Sequence, residues 1–483
     1  MANGKLARWL HLGHRWLGIA LGLMVLLWFV SGLVMLFVTR PQLDEAERLA
    51  GLPALGTDSV RVSPAMAWQS LDLPGSPLAI RLNAADGKPT YRFLTPSGWL
   101  AVRADNPAPR PNFNGDDARR VVNPYLEHSH IVRIDAVNLD QWTLYRSFDS
   151  LRPFWLVELD DGREYYVSAR TGEVALDTTR YERAWNWLGS VVHWVYITPL
   201  RQQGVLWRTI ILWGSFIALL LALSGLWLGW QRLRIRQRYS ARRITPYREA
   251  WKRWHHLLGL AGGLVVFTWL LSGWLSLAPF GLAASPEKIG ISTGVAVATL
   301  SAIPEPLAET RELSWHMIGE RIALIEKSAS GSLVALGDED RHALLSPNDI
   351  VQAIETGYAA PVAKLDWLDS PDSRYYPLRH YPRAFPVARV TLTDVDQTVL
   401  YVSPRSGHVE LVANHHDFSH RWLYQGLHRF DFPVLVDIPS LRDITIIILS
   451  LLGFALCLTG CVLALRRVIP SREHPPDRSA PSA

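Results

Sequence analysis

Four stretches of the chain carry no charged side chain over about 22 residues: Leu17–Val38, Thr209–Trp230, Leu257–Ala278 and Ile444–Leu465. A helix rises about 1.5 Å per residue, so each stretch reaches roughly 33 Å, enough to cross the hydrocarbon layer of a bilayer. The pattern predicts four membrane-spanning helices. Lys5, Arg8 and Arg15 precede the first stretch, as in a secretory signal. Its apolar run is too long for that, and Val38-Thr39-Arg40-Pro41 offers no small-residue cleavage site, so it reads as a retained anchor. Between the spans the pattern changes to short alternations. Leu78–Leu82, Trp155–Leu159 and Ala388–Leu392 read as strands, whereas Asn106–Asn114, with three prolines, reads as a loop. The two long connections are therefore expected to fold as small α+β units.

Basic residues orient the helices. Arg232, Arg234, Arg236, Arg238, Arg242, Arg243, Arg248, Lys252 and Arg253 lie between spans two and three, against the single acid Glu249. Arg466, Arg467, Arg472 and Arg478 follow span four. Short loops this basic belong on the cytoplasmic side, which places both termini there and both long connections opposite. The net charge of +5 is thus a topology signal, and nucleic acid is not an expected partner. With 483 residues, 49% of them hydrophobic and 21 of them Trp, the chain has room for several domains in contact with lipid. Cys457 and Cys461, the two cysteines, sit one turn apart inside span four and read as packing residues. No phosphate-binding glycine loop, nucleophile elbow or HExxH motif occurs, and no GxGxxG suggests a nicotinamide or flavin domain.

One half of the sequence echoes the other. His14-Arg15-Trp16-Leu17-Gly18 leads to Ser31-Gly32, and His255-His256-Leu257-Leu258-Gly259 leads to Ser272-Gly273, with 18 residues from His to the later Gly in both. Further on, Tyr166-Val167-Ser168-Ala169-Arg170-Thr171-Gly172 matches Tyr401-Val402-Ser403-Pro404-Arg405-Ser406-Gly407. At the same offset of 235 residues, Trp187-Leu188 matches Trp422-Leu423, His193 matches His428, and Ser224-Gly225 matches Thr459-Gly460. The expected architecture is an internal duplication of helix, α+β unit and helix.

The duplication sets four histidines in two levels. His14 and His255 open spans one and three at the cytoplasmic face; His193 and His428 precede spans two and four at the opposite face. Equivalent positions on a four-helix bundle face each other across its core, and two neutral imidazoles presented from opposite sides suit a hexacoordinate b-type haem. Two haem b groups are therefore expected, one near each face. Gly225 and Gly460 fall level with His14 and His255, and Gly32 and Gly273 lie nearer His193 and His428. A missing side chain there would clear a bulky macrocycle, or would simply let helices approach closely. His256 and His11 are alternates to His255 and His14, though only His255 keeps the spacing of His14. His416 and His420 are i, i+4 within Asn414-His415-His416-Asp417-Phe418-Ser419-His420, a candidate for transient iron or zinc binding that the first half lacks. Glu127-His128-Ser129-His130 reads as surface loop, and Trp28 and Trp269 fall between the two levels. Capping or interfacial snorkelling is the plain alternative for any one histidine.

The His14–Gly18 run with Ser31-Gly32, the Tyr-Val-Ser-x-Arg-Thr/Ser-Gly segments, and Leu427-His428 with Thr459-Gly460 together resemble the PepSY-associated transmembrane family of bacterial inner-membrane proteins, from about residue 8 to 467. The resemblance implies a multi-pass inner-membrane protein with two periplasmic PepSY-like domains. It also implies a link to siderophore uptake, since members similar to the ferrioxamine reductase carry two b-type haems and reduce ferric siderophores. By position, His14, His255, His193 and His428 are the axial ligands to the haem iron. Trp194 and Arg429 replace the small residues usual after the periplasmic histidines.

The expected organisation is a cytoplasmic N-terminus with span one at 1–39, a first periplasmic domain at 40–205 and span two at 206–231. A basic loop at 232–254, span three at 255–279, a second periplasmic domain at 280–440, span four at 441–466 and a cytoplasmic tail at 467–483 follow. The expected function is a dihaem reductase that takes electrons from a separate cytoplasmic flavoprotein or a quinol and delivers them to a ferric siderophore. The alternatives are a non-enzymatic anchor that binds or inhibits a partner protease, and a siderophore permease; against the last, no discontinuous helix pair is evident.

Overall fold

The computed structural model describes residues 2–56, 59–110, 112–233, 244–281, 294–329, 331–337, 340–358, 360–379, 382–414, 417 and 420–469. Arg234, Arg236, Arg238, Arg242 and Arg243 of the basic loop, Arg472 and Arg478 of the tail, and His415 and His416 lie outside the described residues. The four apolar stretches form helices Ala2–Phe37, Gly204–Gln231, Ala250–Leu275 and Pro439–Val468, here helices one to four. Each is long and apolar enough to cross a membrane. Pro439 opens helix four in its first turn, where a missing N–H is harmless.

Helix one packs against helices two and four, and helix three packs against the same two, so one and three stand diagonally across the bundle. Val25, Phe29, Ala218, Leu219, Val266 and Leu270 fill the interior, each such burial contributing roughly 1.5–3 kcal/mol for a large apolar side chain. Leu23, Trp213, Trp227, Leu264, Ile448 and Leu451 point outward and exposed. An apolar exterior of this extent is the surface a bilayer covers. Gly453 lets helix four close on helix one, since a Cβ there would collide with the Phe29 ring.

The sheets gather at the end of the bundle away from the chain termini. Strands β1 (Ala79–Asn83), β2 (Thr90–Thr95), β3 (Gly98–Arg103) and β4 (Pro109–Arg110) come from the first long connection. So do β5 (Ile131–Val137), β6 (Phe154–Leu159), β7 (Glu164–Ser168) and β8 (Val174–Thr178). The second connection supplies β9 (Thr310–Ile318), β10 (Arg321–Ser328), β11 (Gly331–Leu336) and β12 (Val362–Leu368). It ends with β13 (Val387–Leu392), β14 (Val399–Val402) and β15 (Val409–Ala413). Two antiparallel four-stranded sheets, β5-β6-β7-β8 and β12-β13-β14-β15, have the same order. The predicted Tyr-Val-Ser strand-turns are β7 and β14, each followed by a glycine with positive φ, Gly172 at 62° and Gly407 at 67°.

The third sheet departs from the expected partition. It has seven strands in the order β11-β10-β9-β1-β2-β3-β4, so strands of both connections form one sheet. β1 and β9 pair antiparallel at its centre, with Arg81 opposite Ser314. Residues 40–205 and 280–440 are thus two lengths of chain rather than two separate domains. The strand registers match at a shift of 233 residues: Ala79 pairs with Leu94 as Glu312 pairs with Lys327, and Thr90 pairs with Arg103 as Ala323 pairs with Leu336. One face of the sheet is apolar, with Ile80, Leu82, Tyr91, Phe93, Val102, Leu313 and Trp315 over Val60, Val62 and Trp68.

The other face holds buried charges from both connections. Arg48 donates to both oxygens of Glu312 at 2.7 and 2.8 Å, and Asn83 bridges Glu312 and Glu173 at 2.9 and 2.8 Å. Burial alone would raise the Glu312 carboxyl, but Arg48 and Lys327 hold it far below the usual carboxylate range. Removing one partner would strand a charge in the interior, so this cluster ties the two connections together. The consequence for the site below is a single rigid base over the bundle.

Candidate functional site

The four predicted histidines meet in two pairs. His14 on helix one and His255 on helix three face across the bundle near the termini, with ring centroids 6.3 Å apart and planes at 44°. His193 and His428 meet at the sheet side, with centroids 6.1 Å apart and planes at 65°. His193 closes the one-turn helix Ser190–His193, which follows helix Arg180–Leu188 with its Thr179–Glu182 capping box. Asn186 anchors this segment to the end of helix one, donating to the Thr39 carbonyl at 2.7 Å while accepting from Ser190 Oγ at 2.6 Å. His428 sits in the turn Leu427–Arg429, directly after the π-helical turn His420–Gly426.

A second contact, repeated four times, fixes which nitrogen of each ring is free. Nδ1 of His14 lies 3.2 Å from Ser224 Oγ, that of His193 3.1 Å from Ser31 Oγ, that of His255 3.1 Å from Thr459 Oγ1, and that of His428 3.1 Å from Ser272 Oγ. Each of these hydroxyls donates its own proton to the carbonyl three residues earlier: Leu221, Trp28, Leu456 and Trp269. With its only proton committed, the hydroxyl can only accept, so each imidazole carries its hydrogen on Nδ1. Nε2 is left with a bare lone pair. That is the tautomer a metal ligand needs, held by the kind of supporting hydrogen bond that orients ligating histidines. The sequence reading used the Ser/Thr-Gly pairs only for their glycines; it missed Ser31, Ser224, Ser272 and Thr459.

The glycines take a different part from the one expected. A Cβ at Gly225 would lie 2.7 Å from His14 Cε1, and one at Gly32 3.5 Å from His193 Cε1. At Gly273 and Gly460 the same atom would lie 3.2 Å from Cε1 of His428 and His255. The room they leave is room for the imidazole ring beside the hydroxyl that fixes it. Clearance for a macrocycle is therefore not where these positions point. Their spacing in the sequence is real, and its cause is the seating of the ligand.

The pairs fit an iron porphyrin by simple geometry. A metal–imidazole bond is about 2 Å and the ring centre lies roughly 1 Å behind the nitrogen, so two axial imidazoles on one ion hold centroids roughly 6 Å apart. Both observed separations agree. Burial holds the His193 imidazole down at about 4 and, with the neighbouring His193 adding to it, His428 at about 3, so both stay neutral at physiological pH. Along helix one, His14 and Ser31 are 17 residues apart, which puts the two levels roughly 25 Å from each other.

The alternates do not join the pairs. His256 spends both ring nitrogens locally, Nδ1 at 2.9 Å from Thr245 Oγ1 and Nε2 at 3.0 Å from the Gly229 carbonyl. His11 faces Arg232 through Nε2 at 3.3 Å. His420 stacks on Tyr424, which stacks in turn on His428, so it buttresses the ligand rather than replacing it. Among the described residues no group of three or more His, Cys, Asp or Glu side chains is placed to hold a metal ion. His130 lies exposed beside Asp160, in keeping with a surface loop. Trp269 donates Nε1–H to the His428 carbonyl at 2.9 Å and meets Phe29 and Phe430 edge to face or tilted at 5.5 Å, and Trp28 joins the bundle interior.

The two sheet-side segments reverse direction in the same way. Val195 and Phe430, each two residues after its histidine, have φ of 50° and 58°. Left-handed backbone at a β-branched or aromatic residue is strained and persists only where its surroundings impose it. After Phe430 comes Asp431, fully buried, paired with Arg442 at 2.9 Å and Arg429 at 3.2 Å. After Val195 comes Tyr196, ringed by Tyr145, Trp194 and Trp207.

A family model described as the PepSY-associated TM region matches residues 11–314, well over half of the chain. The match includes His14, His193 and His255. No curated protein matches the chain.

Proposed function

The chain belongs to the PepSY-associated TM family and is a multi-pass membrane protein, and from that premise we propose that it is a dihaem b reductase of the bacterial inner membrane. His14 and His255 hold the haem nearer the cytoplasm, and His193 and His428 hold the one nearer the periplasm. Both termini are cytoplasmic, the sheets are periplasmic, and the chain is a duplicated unit of helix, α+β segment and helix. The observation that carries this reading is the fourfold hydroxyl–imidazole contact, which leaves two facing Nε2 lone pairs at each level. A structural histidine has no need of a fixed tautomer whose other nitrogen is aimed at a second histidine.

Bound there, haem supplies one-electron carriage across the bilayer, from a separate cytoplasmic flavoprotein or a quinol to a ferric siderophore. The chain's own residues do the rest. The hydroxyls hold Nδ1–H; Val25, Phe29, Val266 and Leu270 keep water out of the interval between the levels; and the sheets fix the His193 and His428 segments over helices one and three. One electron converts a ferric chelate to a ferrous one, which hard oxygen ligands hold less tightly, so reduction alone releases iron.

The test is anaerobic. Purified protein reduced by dithionite and mixed with ferric siderophores should reoxidise, with ferrous iron appearing in equal amount on a ferrous-specific chromophore. A haem-loaded protein that no ferric chelate reoxidises would end the reductase assignment.

A further inference from the structure

The half of the sheet side that carries His193 contains a crevice that the reading above does not use. It has a volume of about 260 Å³ and is lined by Arg40, Pro41, Gln141, Trp142, Tyr145, Ser190, Val191 and Tyr196. Ser190 and Val191 belong to the same one-turn helix as His193, so the crevice opens beside that ligand. Its walls are aromatic and cationic in alternation. The Arg40 guanidinium lies 4.0 Å over the Tyr145 ring, Tyr145 meets Tyr196 edge to face at 5.4 Å, and Arg201 covers the far side at 5.0 Å from Tyr196.

Neither Arg40 nor Arg201 forms an ion pair among the described residues, whereas most arginines of the sheet region do. A guanidinium stacked on a ring keeps its N–H edge free for an anion, and an aromatic wall offers a face on which a planar ligand stacks. Gln141 cannot compete for that edge. Its amide is spent on the Tyr196 carbonyl at 2.6 Å and on Thr198 Oγ1 at 2.9 Å. The volume is just under the roughly 300–1,000 Å³ of pockets that enclose a drug-sized molecule, so the crevice takes one arm of a larger ligand.

We propose that the Arg40–Tyr145–Tyr196 crevice is a specificity site for an anionic, aryl-bearing ferric chelate such as a catecholate, one aryl arm stacking on Tyr145 and its oxygens meeting Arg40. The inference rests on the reductase reading and names its substrate class. Uncharged or cationic hydroxamate chelates have nothing to offer the guanidinium and bind elsewhere or weakly.

The test uses redox-inert gallium(III) chelates, which separate binding from reduction. Full-length protein in zwitterionic nanodiscs is titrated with a gallium tris-catecholate and a gallium trihydroxamate, read by tryptophan fluorescence. The catecholate should bind more tightly, and Arg40→Gln should weaken it about 10- to 100-fold, the loss of a charge-assisted hydrogen bond, without moving the hydroxamate. Tyr145→Leu, which leaves the charge in place, should weaken it also. Catecholate binding unchanged in both variants overturns the proposal, as does a hydroxamate that binds equally and responds equally to Arg40→Gln. An anionic lipid headgroup in place of a chelate is the first of these outcomes. Arg40-dependent gallium binding in a protein that reduces no ferric chelate would leave the site standing and remove the reductase reading, so the two fail separately.

Discussion

The two sheet-side ligand segments make the same turn with different chemistry. Both end on a histidine whose Nδ1 is held by a serine hydroxyl, and both then reverse through a left-handed residue, Val195 or Phe430. At the next position the sequences part. Asp431 is buried under Arg429 and Arg442, with Arg421 donating to its carbonyl at 2.7 Å, which makes a closed ionic knot. Tyr196 is held only by rings and by Arg201, with a crevice beside it. The shared features are those a ligating imidazole requires; the difference is free to serve something else. One segment is locked, and the other is left open on the side from which a substrate would come.

Three substitutions break this comparison at different depths. The largest effect is expected from Asp431→Ala, which leaves buried arginines without their counter-charge. Breaking a buried pair costs about 3–5 kcal/mol, so the melting temperature should fall sharply and the His193/His428 haem should be lost first. Tyr196→Leu should cost far less, because each aromatic contact contributes about 0.5–1.5 kcal/mol. Equal losses would mean that the two loops are supported alike after all.

Next come Ser31→Ala and Ser272→Ala. Removing the group that orients a metal-bound histidine lowers affinity about 10- to 100-fold, and both variants should shed the same haem to a similar degree in a competition with apomyoglobin. A loss in one variant alone would show that the hydroxyls do not play a common part. The smallest effect belongs to the left-handed residues. Val195→Gly should gain about 1 kcal/mol by relieving strain, whereas Phe430→Gly should lose stability, because it gives up ring contacts with Trp269 and Phe432. Chemical denaturation of both variants reads the difference in sign.

Much of this arrangement was legible in the chain. The four helices follow from uninterrupted apolar length, and the pairing of His14 with His255 and of His193 with His428 follows from equal spacing in equivalent segments. The strand-turns announced themselves through Gly172 and Gly407, which occupy backbone that other residues avoid. What sequence could not supply was tertiary. The pairing of β1 with β9 joins residues more than 200 positions apart, and neither strand's pattern names its neighbour. The serines and threonine beside the glycines look like ordinary polar residues in a membrane helix until each is seen donating backward and accepting from a ring. Asp431 likewise lies far from Arg442 in pattern and beside it in space.

The central claim is that each level is a separate two-imidazole clamp, and haem stoichiometry in single-ligand variants tests it most directly. Pyridine haemochrome assay and low-temperature electron paramagnetic resonance should give two low-spin haems per chain for the unaltered protein. His193→Ala should keep one and His14→Ala should keep the other, with different signals. A colourless protein, or a variant that retains both low-spin centres, would contradict the account.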